Sequence, residues 1–131
     1  MSNHRRIAAL TVALVLPAAA QAATLGVRFT WVGTAACSTT PPAFTITDIP
    51  KETKYLAFRL TDLDAPHYQH GGGQVAYSGA GDIPAGAFDG AYNGPCPPSG
   101  ATHTYVWTVC ALDANRKALA EGKATGRFPP Q

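Results

Sequence analysis

His103-Thr104-Tyr105-Val106-Trp107-Thr108-Val109-Cys110-Ala111-Leu112 is the stretch whose reading decides the fold. His103, Tyr105, Trp107, Val109 and Ala111 share one face if the chain is extended, because side chains on a strand alternate with a period of two. Outward from this run, the same alternation recurs three times. Leu25, Val27, Phe29 and Trp31 share a face, Phe44 and Ile46 begin a second run, and Leu56, Phe58 and Leu60 make a third. Turn chemistry separates the runs: Thr39-Thr40-Pro41-Pro42, Asp48-Ile49-Pro50, Ala65-Pro66, Gly71-Gly72-Gly73, Gly79 to Pro84 and Gly94 to Gly100. Only Ala114 to Glu121 offers a helical turn or two, and Gly122 stops it. Short strands at this spacing predict an all-β fold, a Greek-key antiparallel β-sandwich with little or no helix.

At 131 residues, with 46% hydrophobic and 14% charged content, the chain has room for one modest core. The formal net charge of +2 owes its excess to the N-terminus. Residues 1–22 read as a cleaved signal peptide: His4, Arg5 and Arg6 form a positive n-region, Ile7 to about Leu16 an apolar core, and Ala20-Gln21-Ala22 a small-x-small processing site. The apolar stretch is too short to span a bilayer, and no later one is longer. The expectation is a single domain over residues 23–131, periplasmic or secreted. Its eight Lys and Arg balance eight Asp and Glu. A net charge of zero without a basic stripe argues against nucleic acid as a partner.

Cys37, Cys96 and Cys110 in an exported chain suggest one disulfide and one free thiol. Cys110 lies in the apolar run, where buried thiols are common, whereas Cys37 and Cys96 sit beside proline pairs in irregular chain. These settings favour Cys37 with Cys96; three free thiols is the alternative.

Two segments concentrate polar chemistry. In Asp62-Leu63-Asp64-Ala65-Pro66-His67-Tyr68-Gln69-His70 the two carboxylates leave a strand on the same side before the proline turns the chain. They suit capping the turn, orienting a histidine or accepting from a ligand. Two Asp and two His invite a metal, but their spacing matches no standard signature. The second segment runs from Tyr92 through Gly94-Pro95-Cys96-Pro97-Pro98-Ser99-Gly100 into His103-Thr104-Tyr105, and places His103 and Tyr105 on one strand face beside a rigid loop. Catalytic signatures are missing. Gly71-Gly72-Gly73 lacks the lysine and helix of a phosphate-binding loop and reads as a flexible turn; no serine sits in a nucleophile elbow. Asp62 and Asp64 are too close to flank a sugar.

Together the segments resemble the phosphatidylethanolamine-binding protein family, in its bacterial Raf kinase inhibitor-like branch. The family's D-P-D-A-P box is similar to Asp62-Leu63-Asp64-Ala65-Pro66, and its G-P-C-P-P-x-G…H-R-Y segment to Gly94 through Gly100 followed by His103-Thr104-Tyr105. Ser38 to Pro42, Asp82-Ile83-Pro84-Ala85, Cys110-Ala111-Leu112-Asp113 and Ala118 to Gly126 resemble further family segments in the same order. The resemblance implies a sandwich with a small anion pocket at one end. Asp62 would organise that pocket, with Asp64 and the loop glycine Gly94 in the same set; Ala65 and Pro66 would form its wall, and His103 and Tyr105 would donate to the ligand.

The chain departs from the family pattern in length and at key positions. Counting back from Ile83, the family's His-Trp pair falls on Tyr77 and Ser78, so the Tyr77 hydroxyl replaces the pocket histidine unless His67 or His70 folds inward. The segment before the Pro-rich loop shrinks to Gly86 to Ala91, Thr104 replaces an arginine, and the later helix-bearing segment is nearly gone. The resemblance implies a shortened, non-catalytic binder of a small anion or phospholipid head group, needing no metal or cofactor. Its rivals are an inhibitor-like scaffold that binds a protein partner after losing the ligand, and a metal-dependent hydrolase using Asp62, Asp64, His67 and His70.

Overall fold

The computed structural model describes residues 11–16 and 23–131. The n-region and the processing site expected at the N-terminus lie outside the described residues, and residues 11–16 are exposed and irregular. Eight strands follow: β1 (Ala23–Thr24), β2 (Gly26–Phe29), β3 (Phe44–Thr47), β4 (Tyr55–Asp62), β5 (Gly72–Ala76), β6 (Asp82–Ile83), β7 (His103–Leu112) and β8 (Ala118–Phe128). The fold is all-β, with no helix among the described residues. β1-β8-β7-β4-β5 form one sheet and β2-β3-β6 the other. Every pairing is antiparallel except that of β1, which runs parallel to β8.

β4 and β7 are the spine. Leu56, Phe58 and Leu60 of β4 and Tyr105, Trp107, Val109 and Ala111 of β7 are buried on one face, and the two strands pair from Tyr55↔Leu112 to Asp62↔Tyr105. Between the sheets the core is aromatic. Phe44 meets Phe58 at 4.9 Å and Trp107 edge-on at 5.0 Å, and Tyr92 stacks on Trp107 at 5.5 Å. Each such ring removes a large apolar area from water, and offset or edge geometry adds to the gain.

The N-terminal run is split where the sequence suggested one strand. At Leu25 the chain leaves the large sheet for the small one, so Leu25 closes on β8 through its amide to Glu121 (3.0 Å) while β2 pairs with β3.

The expected helical turn at Ala114 to Glu121 is instead a tight turn and the start of β8. Arg116 takes a positive φ of 63°, and Asp113 accepts the amides of Asn115 and Lys117. β8 is rich in Ala and Gly, poor strand formers in isolation, and its pairing with ten residues of β7 overrides that preference. Its glycines also have a packing role. A Cβ on Gly122 would come within 2.8 Å of the Leu25 side chain, and one on Gly126 within 2.8 Å of Phe29 and 3.0 Å of Trp31. Side chains of the N-terminal strands settle onto bare backbone there.

The glycine triplet is likewise not a flexible turn. Gly72 and Gly73 belong to β5, and the shortened segment Gly86 to Ala91 comes back along them through Gly71↔Tyr92 and Gln74↔Asp89 bridges. Phe88 then stacks on Phe58 at 4.5 Å. A side chain on Gly72 would strike the Phe58 carbonyl, so the close approach requires glycine. Cys37 and Cys96 are disulfide-bonded, with Cα atoms 4.5 Å apart, and Cys110 is free and half-buried.

Candidate functional site

The inward row of β4 ends on a carboxylate. Period-two alternation carries the sequence Leu56, Phe58, Leu60 on to Asp62, which is 3% exposed. A buried carboxylate requires partners, and both its oxygens have them. Oδ1 accepts the amides of Asp64 (2.9 Å) and Ala65 (3.2 Å), closing the turn that Pro66 follows. Oδ2 accepts Nδ1–H of His103 at 2.6 Å. Burial alone would raise the Asp62 pKa; the bonds from His103, Asp64 and Ala65 outweigh it and hold the group below the ordinary carboxylate range. Asp62 is therefore an anion at neutral pH.

The turn after β4 is clamped to the start of β7. Leu63 donates its amide to the Thr104 carbonyl (2.8 Å), and Asp64 Oδ2 accepts the Thr104 amide (2.7 Å). Asp64 itself is exposed, and its carboxylate faces the backbone of β7.

On the other side of the cavity stands His70, 3% exposed, with Nδ1 2.7 Å from the Asn93 carbonyl and Nε2 4.0 Å from Asp62 Oδ2. Asn93 returns its own amide to the His70 carbonyl at 2.8 Å. The ring contacts Tyr68 (4.6 Å between centroids) and the edge of Tyr105 (5.4 Å).

Tyr105 is fully buried, with the Asp62 carboxylate and the Cys96 backbone beside its hydroxyl. Burial, and next the neighbouring Asp62 charge, push its pKa far above that of a free tyrosine, so it is a neutral donor.

The floor comes from the Pro-rich loop, where Cys37 donates its amide to the Pro95 carbonyl and Gly94 to Ser38, both at 2.8 Å, around the disulfide. A Cβ on Gly94 would collide with the Ser38 carbonyl, so this glycine allows the loops to close and does not itself line the cavity. Asp62, Ala65, Tyr68, His70, Cys96, Pro98, His103 and Tyr105 enclose about 360 Å³, room for a small head group.

Of the residues singled out in the sequence, Asp62, Ala65, His103 and Tyr105 converge on this cavity. Asp64 and Gly94 support it from behind. Pro66 faces an adjoining polar cleft of about 450 Å³ that shares Tyr68 and His70. Tyr77 is elsewhere. Its amide bonds the Lys54 carbonyl at 2.8 Å, just beyond the opposite end of β4, roughly 26 Å from Asp62 at about 3.3 Å per strand residue. Tyr77 instead follows β5 (Gly72–Ala76) and packs against the core. Of the two histidines named as alternatives, His70 lies at the cavity and His67 does not.

Asp62, Asp64 and His103 hold potential metal-ligating atoms within 4.8 Å of one another. Both Asp62 oxygens, Asp64 Oδ2 and His103 Nδ1 already serve hydrogen bonds within the protein. His67, needed by the hydrolase reading, is exposed and outside the cavity. A larger groove of about 520 Å³ at the small sheet is lined by Phe29, Phe44, Ile83 and Pro84, with Arg28 and Asp82 as its charged residues, and has no comparable buried polar cluster.

A two-sheet sandwich with a partly apolar cavity at one end, organised by a buried Asp-His pair, defines the class of ligand- or partner-binding sandwiches. The family profile described as phosphatidylethanolamine-binding protein matches residues 16–128, and the chain belongs to that family. Two solved structures share its fold. Escherichia coli YbcL, described as a new member of the mammalian PEBP family, is 20% identical over 71% of this chain and 82% of its own, with a TM-score of 0.55. CT736 of Chlamydia trachomatis, described as a homolog of phosphatidylethanolamine-binding protein, is 17% identical over 82% of this chain and 99% of its own, with a TM-score of 0.58. No curated protein sequence matches significantly.

Proposed function

We propose that the protein is an exported binder of a small oxyanion or phospholipid head group, which it holds and releases chemically unchanged. The observation that carries this reading is the buried Asp62–His103 pair at a cavity that also receives Tyr105 and His70. Tyr105 supplies one donor, and His103, oriented by Asp62, supplies a second when protonated. Asp62 has no free hydrogen-bonding role toward an anion. It sets the histidine's orientation. The apolar wall of Ala65 and Pro98 leaves space for the carbon portion of a head group.

Calorimetry with inorganic phosphate and with glycerophosphoethanolamine tests this reading. Replacing His103 with Ala removes a charged hydrogen bond of about 1.5 to 3 kcal/mol, an expected 10- to 150-fold loss of affinity at acid pH with the fold intact. No binding by either protein at millimolar ligand refutes the assignment, as does undiminished binding by His103→Ala. Hydrolysis of a phosphoester by the purified protein would contradict the non-catalytic part.

A further inference from the structure

From the hydrogen bonds that fix its two histidines, we infer that this pocket takes up an oxyanion together with a proton, received at His103. The inference rests on the anion-binding reading above and adds its proton stoichiometry. A backbone carbonyl only accepts, so Nδ1 of His70, 2.7 Å from the Asn93 oxygen, carries hydrogen. An ionised carboxylate also only accepts, so Nδ1 of His103, 2.6 Å from Asp62 Oδ2, carries hydrogen too. In each neutral ring the remaining nitrogen, Nε2, is then a lone pair. With both rings neutral, the cavity therefore presents two imidazole lone pairs and one carboxylate against no charged donor, only the hydroxyl-bearing Tyr68 and Tyr105.

That array repels a fully ionised oxyanion. It becomes receptive once an Nε2 gains hydrogen. His103 is the receiving ring, because its other nitrogen already bonds the Asp62 carboxylate, which stabilises imidazolium directly; His70 stands 4.0 Å from that charge. The groups facing the two rings are Asp62 from β4, Asp64 and Tyr68 from the turn after it, and Tyr105 from β7. The Pro-rich loop contributes no titratable group at the cavity, its lining residues there being the disulfide-bonded Cys96 and Pro98. Asp62 thus serves as the resident counter-charge that makes proton uptake favourable. A ligand that carries its own hydroxyl proton, such as a phosphate monoester monoanion, brings the proton with it; sulfate and phosphodiesters must recruit it from solvent.

Sulfate and glycerophosphoethanolamine are the probes, since neither oxyanion titrates between pH 6 and 8.5. Calorimetry of the oxidised wild-type protein in buffers of different ionisation enthalpy reads proton uptake directly. The expected result on the alkaline side of the imidazole titration is about one proton per anion, with affinity falling about tenfold per pH unit. In His103→Gln, whose carboxamide donates without titrating, the uptake should vanish and the affinity become flat with pH. Wild-type binding that is flat across this range, with no uptake, overturns the inference and the charged His103 bond with it, and leaves standing only that the cavity binds a head group. Uptake that persists unchanged in a folded His103→Gln overturns the assignment to His103. Absence of binding of either probe at every pH refutes the underlying reading and the inference with it.

Discussion

Asp62 joins fold and site in a single side chain. Its Oδ1 closes the turn after β4 and its Oδ2 holds His103, so Asp62→Asn keeps the shape and weakens both roles. The expected cost is about 1 to 3 kcal/mol, since bonds to a charged group are being replaced by weaker ones. The pH profile carries the sign. Because its folded pKa is lowered, Asp62 contributes stability above the unfolded carboxylate range, near pH 4, and that contribution disappears as pH falls through the folded value. Urea midpoints measured from pH 7 down to pH 2 should fall less steeply in Asp62→Asn than in wild type; parallel profiles would show that the carboxylate contributes nothing to acid stability.

At the scale of elements, β8 and the disulfide make the sharpest tests. Gly122→Val and Gly126→Val would each press a side chain against a strand already in contact, Leu25 in one case and Phe29 with Trp31 in the other. Overpacking of this kind costs about 1 to 3 kcal/mol, readable as a lowered denaturant midpoint. Substitutions on the solvent side of the same strand, at Lys123 for instance, should be nearly neutral. The bond between Cys37 and Cys96 closes a loop with a sequence separation of 59 and is worth about 4 kcal/mol on the chain-entropy view. Alkylation under denaturing, non-reducing conditions should label Cys110 alone.

These elements also mark how far a sequence can be read. β4 and β7 were legible because their inner rows, Leu56, Phe58 and Leu60 in one and Tyr105, Trp107 and Val109 in the other, are large and apolar at a period of two. β8 was not, because its inner face is Ala and Gly, whose smallness makes sense only against residues about a hundred positions earlier. Asp62, Ala65, His103 and Tyr105 were legible as the ends of strands with turn chemistry beside them. The choice between His67 and His70 was not legible, because the partner that fixes His70 is the Asn93 carbonyl, a backbone group that leaves no mark in side-chain patterns.

At the scale of the whole molecule, pH acts at the alkaline end as well. Tyr92 and Tyr105 are buried in the core, and burial, with the Tyr105 charge adding to it at Tyr92 and the Asp62 charge at Tyr105, raises both pKa values. The fold thus keeps its full stability below the ordinary tyrosine range, near pH 10, and loses it progressively as pH rises beyond that. Phenolate absorbance should appear together with the loss of near-ultraviolet dichroism; full ionisation of both tyrosines in a still-folded protein would contradict the burial. Export is a prediction of the same breadth. Edman sequencing of the protein recovered outside the cytoplasm should begin at or next to Ala23, and a chain still starting at Met1 or Ser2 would refute it.

β7 begins in the cavity with His103 and Tyr105 and continues straight into the core as Trp107, Val109 and Ala111, bonded along its length to β4 and β8. Asp62, His103 and Tyr105 thus tie the pocket to the core strands, and the disulfide ties its Pro-rich loop to the segment before β3. An occupant therefore bears on the cooperative unfolding of the entire sandwich, and at a hundred times its dissociation constant it would add about 2.7 kcal/mol. A dye-based melting screen of candidate head groups, run without any assay of activity, becomes a direct route to the natural ligand.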